Sequence, residues 1–111
     1  MITTHVLDLG NGGPARGIPV VLETDQQNAW LPIGRGATDD NGRLSTLTRD
    51  WDPAPGTYRL TFDLSGYQRD RGLAKPFFPT AMIVFTVHDA GEHYHVPLLI
   101  SPFGYTTYRG S

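Results

Sequence analysis

The chain contains no cysteine, which excludes disulfides and thiolate chemistry and leaves stability to packing or association. That absence suits a reducing compartment, and we expect a cytoplasmic protein. The chain also lacks a surplus of one charge. Nine Lys and Arg stand against eleven Asp and Glu, a formal net charge of −2, so there is no basic stripe for phosphates and no acidic tail. Neither nucleic acid nor a membrane is an expected partner. No stretch approaches the ~20 apolar residues of a membrane span, and the start of the chain has no basic segment followed by an apolar run. At 111 residues the chain is long enough for one core and too short for a second, so we expect a single domain over residues 1–111.

What the chain has in quantity is punctuation. Its 13 Gly and 9 Pro make up about a fifth of the residues, and the pieces between them are rich in Val, Leu, Ile, Thr, Phe and Tyr. Short strands joined by turns have this pattern. The clearest strand lies in GTYRLTFDL, where Tyr58, Leu60, Phe62 and Leu64 alternate with Thr57, Arg59, Thr61 and Asp63, giving one buried face and one wet one. Seven more candidates follow: TTHVLDL, IPVVLET, AWLPIG, RLSTL, TAMIVFTVHD, HYHVPLLIS and GYTTYR. Turn signals such as GNGGP, TDDNG and DPAPG separate them. About eight short strands predict an all-β sandwich. Only SGYQRDRGL reads as helix, a short surface one capped by Ser65 and unable to continue through Pro76 and Pro79.

Two strands carry histidine on an unusual face. In HYHVPLLIS the period of two sets Tyr94, Val96, Leu98 and Ile100 against His93, His95, Pro97, Leu99 and Ser101, and the first set makes the better core. His95 therefore points out of the sandwich among apolar neighbours, on a face that something must cover. The first strand repeats this, with Thr3, His5, Leu7 and Leu9 opposite Ile2, Thr4 and Val6. A mixed aliphatic and imidazole surface suits an oligomer interface lined by a ligand pocket. Isolated strand histidines are commonly plain surface groups, and His88 and His93 are read that way.

Metal binding is the weaker use of these imidazoles. The HYH spacing, with His5 as a third ligand, permits zinc, but there is no cysteine and no HExxH signature, so no metal is expected. TDDNG lacks the distal Glu of a calcium loop and reads as a turn. It delivers Arg43 directly after Asn41 and Gly42, a position from which a guanidinium can meet a planar acceptor, although a solvated loop arginine fits the spacing as well.

Together these residues resemble the 5-hydroxyisourate hydrolase family, the transthyretin-like enzymes of urate breakdown. The resemblance runs the whole chain. It rests on THVLD at 4–8, DDNGRL at 39–44, GTYRLTF at 56–62, FFP at 77–79 and HYHVPLLISPFGYTTYRGS at 93–111. The terminal Tyr-Arg-Gly-Ser is its most specific part.

The resemblance implies a transthyretin-like β-sandwich assembled as a homotetramer, with active sites at the interface between dimers. It implies hydrolysis of 5-hydroxyisourate to 2-oxo-4-hydroxy-4-carboxy-5-ureidoimidazoline, a cyclic amide opened by water without a cofactor. The family's catalytic set falls on His5, Arg43, His95 and Ser111. Tyr108, Arg109 and Gly110 complete the terminal signature and are expected to shape the substrate pocket and hold Ser111 in place, with His93 in a supporting role. Either His5 or His95 is the general base, Arg43 stabilises charge on oxygen, and Ser111 acts through its hydroxyl or its α-carboxylate. The chain is expected to end at Ser111 because its end folds into the pocket, so that an added C-terminal tag harms activity. The alternative is a transthyretin-like small-molecule carrier, which needs shape and apolar area but no base.

Overall fold

A computed structural model describes all of residues 1–111. Nine strands and one helix follow in the order β1 (Ile2–Asp8), β2 (Gly13–Pro14), β3 (Pro19–Gln26), β4 (Ala29–Ala37), β5 (Arg43–Leu44), β6 (Gly56–Asp63), α1 (Ser65–Asp70), β7 (Thr80–Val87), β8 (Tyr94–Ser101) and β9 (Gly104–Thr107). One sheet has the order β2-β1-β8-β9, with β5 also pairing β1; the other has the order β4-β3-β6-β7. No helix is long and apolar enough to cross a membrane.

The alternation in β6 is realised: Tyr58, Leu60 and Phe62 are buried, Thr57, Arg59 and Thr61 are half-buried and Asp63 is exposed. They meet Val20 and Leu22 of β3 and, from the other sheet, Ile2, Val6, Val96, Leu98 and Ile100 in one core cluster. Fully burying each large aliphatic or aromatic side chain contributes about 1.5–3 kcal/mol. Pro32 is tolerated in β4 because β4 is an edge strand with no partner on its far side.

Three local expectations need correction. A ninth strand, β2, appears because Gly13 and Pro14 pair with Asp8 and Leu7. Ser65 does not cap α1. The capping position is Leu64, without a side-chain bond, and the N–H and Oγ of Ser65 both donate to Oδ1 of Asp63 at 3.1 and 2.7 Å. The helix ends at Asp70, well before Pro76, because Gly72 adopts φ 94°. Leu73 then donates its N–H back to the carbonyl of Gln68 at 2.9 Å, a glycine-based helix stop.

The pairing that matters most for the site is parallel. β1 and β8 run side by side with Thr3 opposite His95 and His5 opposite Pro97, while the other edge of β1 sets His5 opposite Arg43. Paired residues in adjacent strands share a sheet face, so Arg43, His5, Thr3 and His95 all stand on the outer face of this sheet.

Candidate active site

The turn before β5 is built around Asp39. Its Oδ1 accepts the backbone N–H of Asn41 and of Arg43, each at 2.9 Å, and the Arg43 amide is the main reason the carboxyl is held below its usual range. Gly42 closes the turn at φ 75°, where a Cβ would collide with the carbonyl oxygen of Val6. Arg43 therefore leaves a rigid turn with its side chain exposed. The same turn holds His5, whose Nε2 lies 2.9 Å from the carbonyl oxygen of Asn41. A carbonyl only accepts, so Nε2 carries the hydrogen and a neutral His5 is left with Nδ1 as its free acceptor.

His95 is held from its other nitrogen. Its Nδ1 is 2.8 Å from Oγ1 of Thr3, and the same oxygen is 2.8 Å from Nε2 of His93. Thr3 is 6 % exposed, so water competes poorly for this hydroxyl. Burial lowers the His95 pKa below its ordinary value of 6.5, and the charges of Arg43, His93 and His5 push the same way. A neutral imidazole at neutral pH is the form a general base requires.

The end of the chain closes over this face. After β9, Gly110 donates its N–H to the carbonyl of His95 at 2.8 Å and forms an isolated antiparallel bridge with it. Pro97 is buried although it points outward, because the Gly110 backbone lies against it. Ser111 then lines a cleft of about 300 Å³ together with Thr3, Asp39, Arg43, His93 and His95. His5 does not line this cleft itself; it stands beside it, paired with Arg43 across the β1–β5 register.

Tyr108 and Arg109 go elsewhere. They line a separate cleft of about 220 Å³ with Ile83, Phe85, Tyr94 and Thr107. The Arg109 guanidinium lies 4.6 Å from the centre of the Tyr94 ring, over its face, and its Nη2 donates to the carbonyl of His93 at 3.3 Å. It thus ties the terminal segment to the start of β8. A third cleft, about 280 Å³, sits at the other end of β1 beside Asp8, Tyr67 and Arg71. There the Asp8 carboxylate already accepts the Tyr67 hydroxyl at 2.8 Å and the Asn11 N–H at 3.1 Å, so the imidazole cleft is the better equipped for chemistry.

The sequence matches the HIUase/Transthyretin family over residues 2–110. The chain belongs to that family. It is 42 % identical over 111 residues to a 5-hydroxyisourate hydrolase of Salmonella dublin, covering 100 % of this chain and 81 % of the relative. Among solved structures it resembles the 5-hydroxyisourate hydrolase of Klebsiella pneumoniae with a TM-score of 0.86 at 32 % identity, covering 99 % of this chain and 97 % of that one. It resembles transthyretin from Sparus aurata with a TM-score of 0.90, also at 32 % identity, covering 98 % and 95 %. Fold likeness alone thus leaves enzyme and carrier level.

Thr3 and Asp39 were not among the residues singled out from sequence. Thr3 shares the alternating face of His5, but its contact with His95 depends on β1 and β8 pairing in parallel across the length of the chain, which no local pattern encodes. Asp39 sits in a recognised turn, and an Asp at a turn start is the available signal.

Proposed function

We propose that this chain hydrolyses 5-hydroxyisourate in urate breakdown, opening its cyclic amide to give 2-oxo-4-hydroxy-4-carboxy-5-ureidoimidazoline. The observation that carries this reading is the convergence of His95, Arg43 and Ser111 on one cleft, with His5 paired beside Arg43. A relative of the same family that is 42 % identical bears the hydrolase name.

The hydrogen bonds support a division of roles. The Nε2 of His5 is committed to Asn41, whereas His95 is anchored through Nδ1, which leaves its Nε2 to take a proton from water. His95 is the general base and His5 orients water or substrate. The water oxygen bonds to the acyl carbon and its proton passes to His95. The C–N bond then breaks, and the departing ring nitrogen takes up a proton as the carboxylate forms. Arg43 offers parallel donors to the oxygen on which negative charge accumulates. Ser111 binds substrate or positions water, Gly110 lets the terminal segment approach His95, and Tyr108 and Arg109 fix that segment. No cofactor enters these steps.

The working form is a homotetramer of single domains spanning residues 1–111, in the cytoplasm, with each cleft covered at the interface between dimers. The outward-facing, half-buried Leu7 and Leu99 support a covered face. Freshly generated 5-hydroxyisourate, followed by its ultraviolet absorbance, tests the activity: the chain accelerates the decay well beyond the buffer rate. Decay no faster than in buffer, together with tight binding of small ligands, would instead favour the carrier.

A further inference from the structure

We propose that Thr3 is a positioning residue whose hydroxyl sets the tautomer of His95, using His93 as its acceptor. The proposal rests on the hydrolase reading for its kinetic consequence, but its structural content does not. Oγ1 of Thr3 stands 2.8 Å from Nε2 of His93 and 2.8 Å from Nδ1 of His95. A hydroxyl has one hydrogen to donate and two lone pairs that accept, and the two rings are the partners this buried Oγ1 has, so its hydrogen is satisfied only when it donates to one ring and accepts from the other.

For neutral rings this leaves two arrangements. In one, His93 donates to Thr3 and Thr3 donates to Nδ1 of His95, which places the His95 hydrogen on Nε2 and removes its capacity to act as a base. In the other, Nδ1–H of His95 donates to Thr3 and Thr3 donates to Nε2 of His93, which leaves Nε2 of His95 bare. Only the second arrangement presents a base to the cleft. It is also the one in which a proton gained at Nε2 leaves every bond of the chain in place, since Nδ1–H continues to donate to Thr3.

The surroundings favour a fixed hydroxyl. Thr3 is 6 % exposed and lies opposite His95 in the β1–β8 register. A β-branched side chain in a strand is stiff at χ1, so Oγ1 is held between the rings with little freedom to turn away. His93 is exposed, so its remaining N–H is free to bond water. The residue first read as a plain surface histidine thereby becomes the acceptor at the end of a three-member chain.

The test uses ¹⁵N NMR of the imidazoles together with kinetics of Thr3→Val and Thr3→Ser. At neutral pH, wild-type His93 and His95 are both expected to carry hydrogen on Nδ1 with Nε2 unprotonated. Thr3→Val, close to isosteric, is expected to mix the His95 tautomers and lower kcat about 10- to 100-fold with little change in KM. Thr3→Ser, which restores the hydroxyl, is expected to recover most of that loss. A wild-type His95 hydrogen on Nε2, or a Thr3→Val enzyme with wild-type kcat, would overturn the proposal. Should Thr3→Val not fold, the wild-type spectrum and the serine variant still decide it. If the wild type fails to hydrolyse 5-hydroxyisourate but shows the expected tautomers, the hydrolase reading fails and the hydrogen-bond chain stands.

Discussion

Gly110 and His95 touch at a distance that only glycine permits. The Gly110 N–H donates to the His95 carbonyl at 2.8 Å, and a Cβ on Gly110 would lie 2.6 Å from Cδ2 of the His95 ring and 3.2 Å from Cγ of Pro97. The terminal segment therefore reaches the imidazole because one residue in it has no side chain.

Gly110→Ala accordingly displaces either the ring or the terminal segment. The expected result is a loss of kcat of about tenfold or more, because misplacing a catalytic group by about 1 Å suffices for large losses. Little change in melting temperature is expected, since the Gly110 side is half-exposed. Steady-state kinetics beside thermal melting separates the two effects. Unchanged turnover would show that the approach of Gly110 to His95 has no part in activity.

The pH dependence follows from His95. Its pKa is lowered by burial first and then by Arg43, His93 and His5, so the neutral base persists below the ordinary imidazole value of 6.5. The acidic limb of kcat/KM is expected below that value, with activity lost as pH falls through it. Arg43→Gln removes one of the lesser causes, and should move the limb upward by part of the shift while also lowering the rate. A limb that stays in place or moves down in this variant would contradict the electrostatic assignment.

A separate network governs acid stability. Glu23 accepts Nε and Nη2 of Arg59 at 3.0 and 2.9 Å and the Thr61 hydroxyl at 2.7 Å, and its pKa is lowered, chiefly by the Arg59 bonds. The folded state thus binds this proton less readily than the unfolded one. The contribution is fully present above the ordinary carboxylate value of 4.5 and is lost as pH falls below it. Glu23→Gln is expected to cost on the order of 2 kcal/mol near neutrality. It should also flatten the decline of melting temperature between about pH 5 and pH 3. An equally steep decline in the variant would place the acid-sensitive group elsewhere.

Much of this architecture was legible because its signals are local. The alternation Tyr58, Leu60, Phe62 fixes which face of β6 is buried, and the same period puts His95 and His5 outside the core before any pairing is known. The Asn41-Gly42 turn announces Arg43. What was not legible is long-range. Thr3 meets His95 only because β1 lies parallel to β8, and Arg109 leaves the imidazole cleft for the Tyr94 ring although it is two residues from Ser111. The end of α1 falls earlier than the prolines alone suggest, since the Gly72 stop competes with the more conspicuous Pro76 and acts first.

The central claim is that His95 is the base of a 5-hydroxyisourate hydrolase, and the most direct test is the enzyme-dependent decay of that substrate by wild type and His95→Ala at equal concentration. The expected result is strong acceleration by the wild type and a loss of about 10²- to 10⁴-fold in the variant, with its fold retained. Acceleration undiminished in folded His95→Ala would contradict the account.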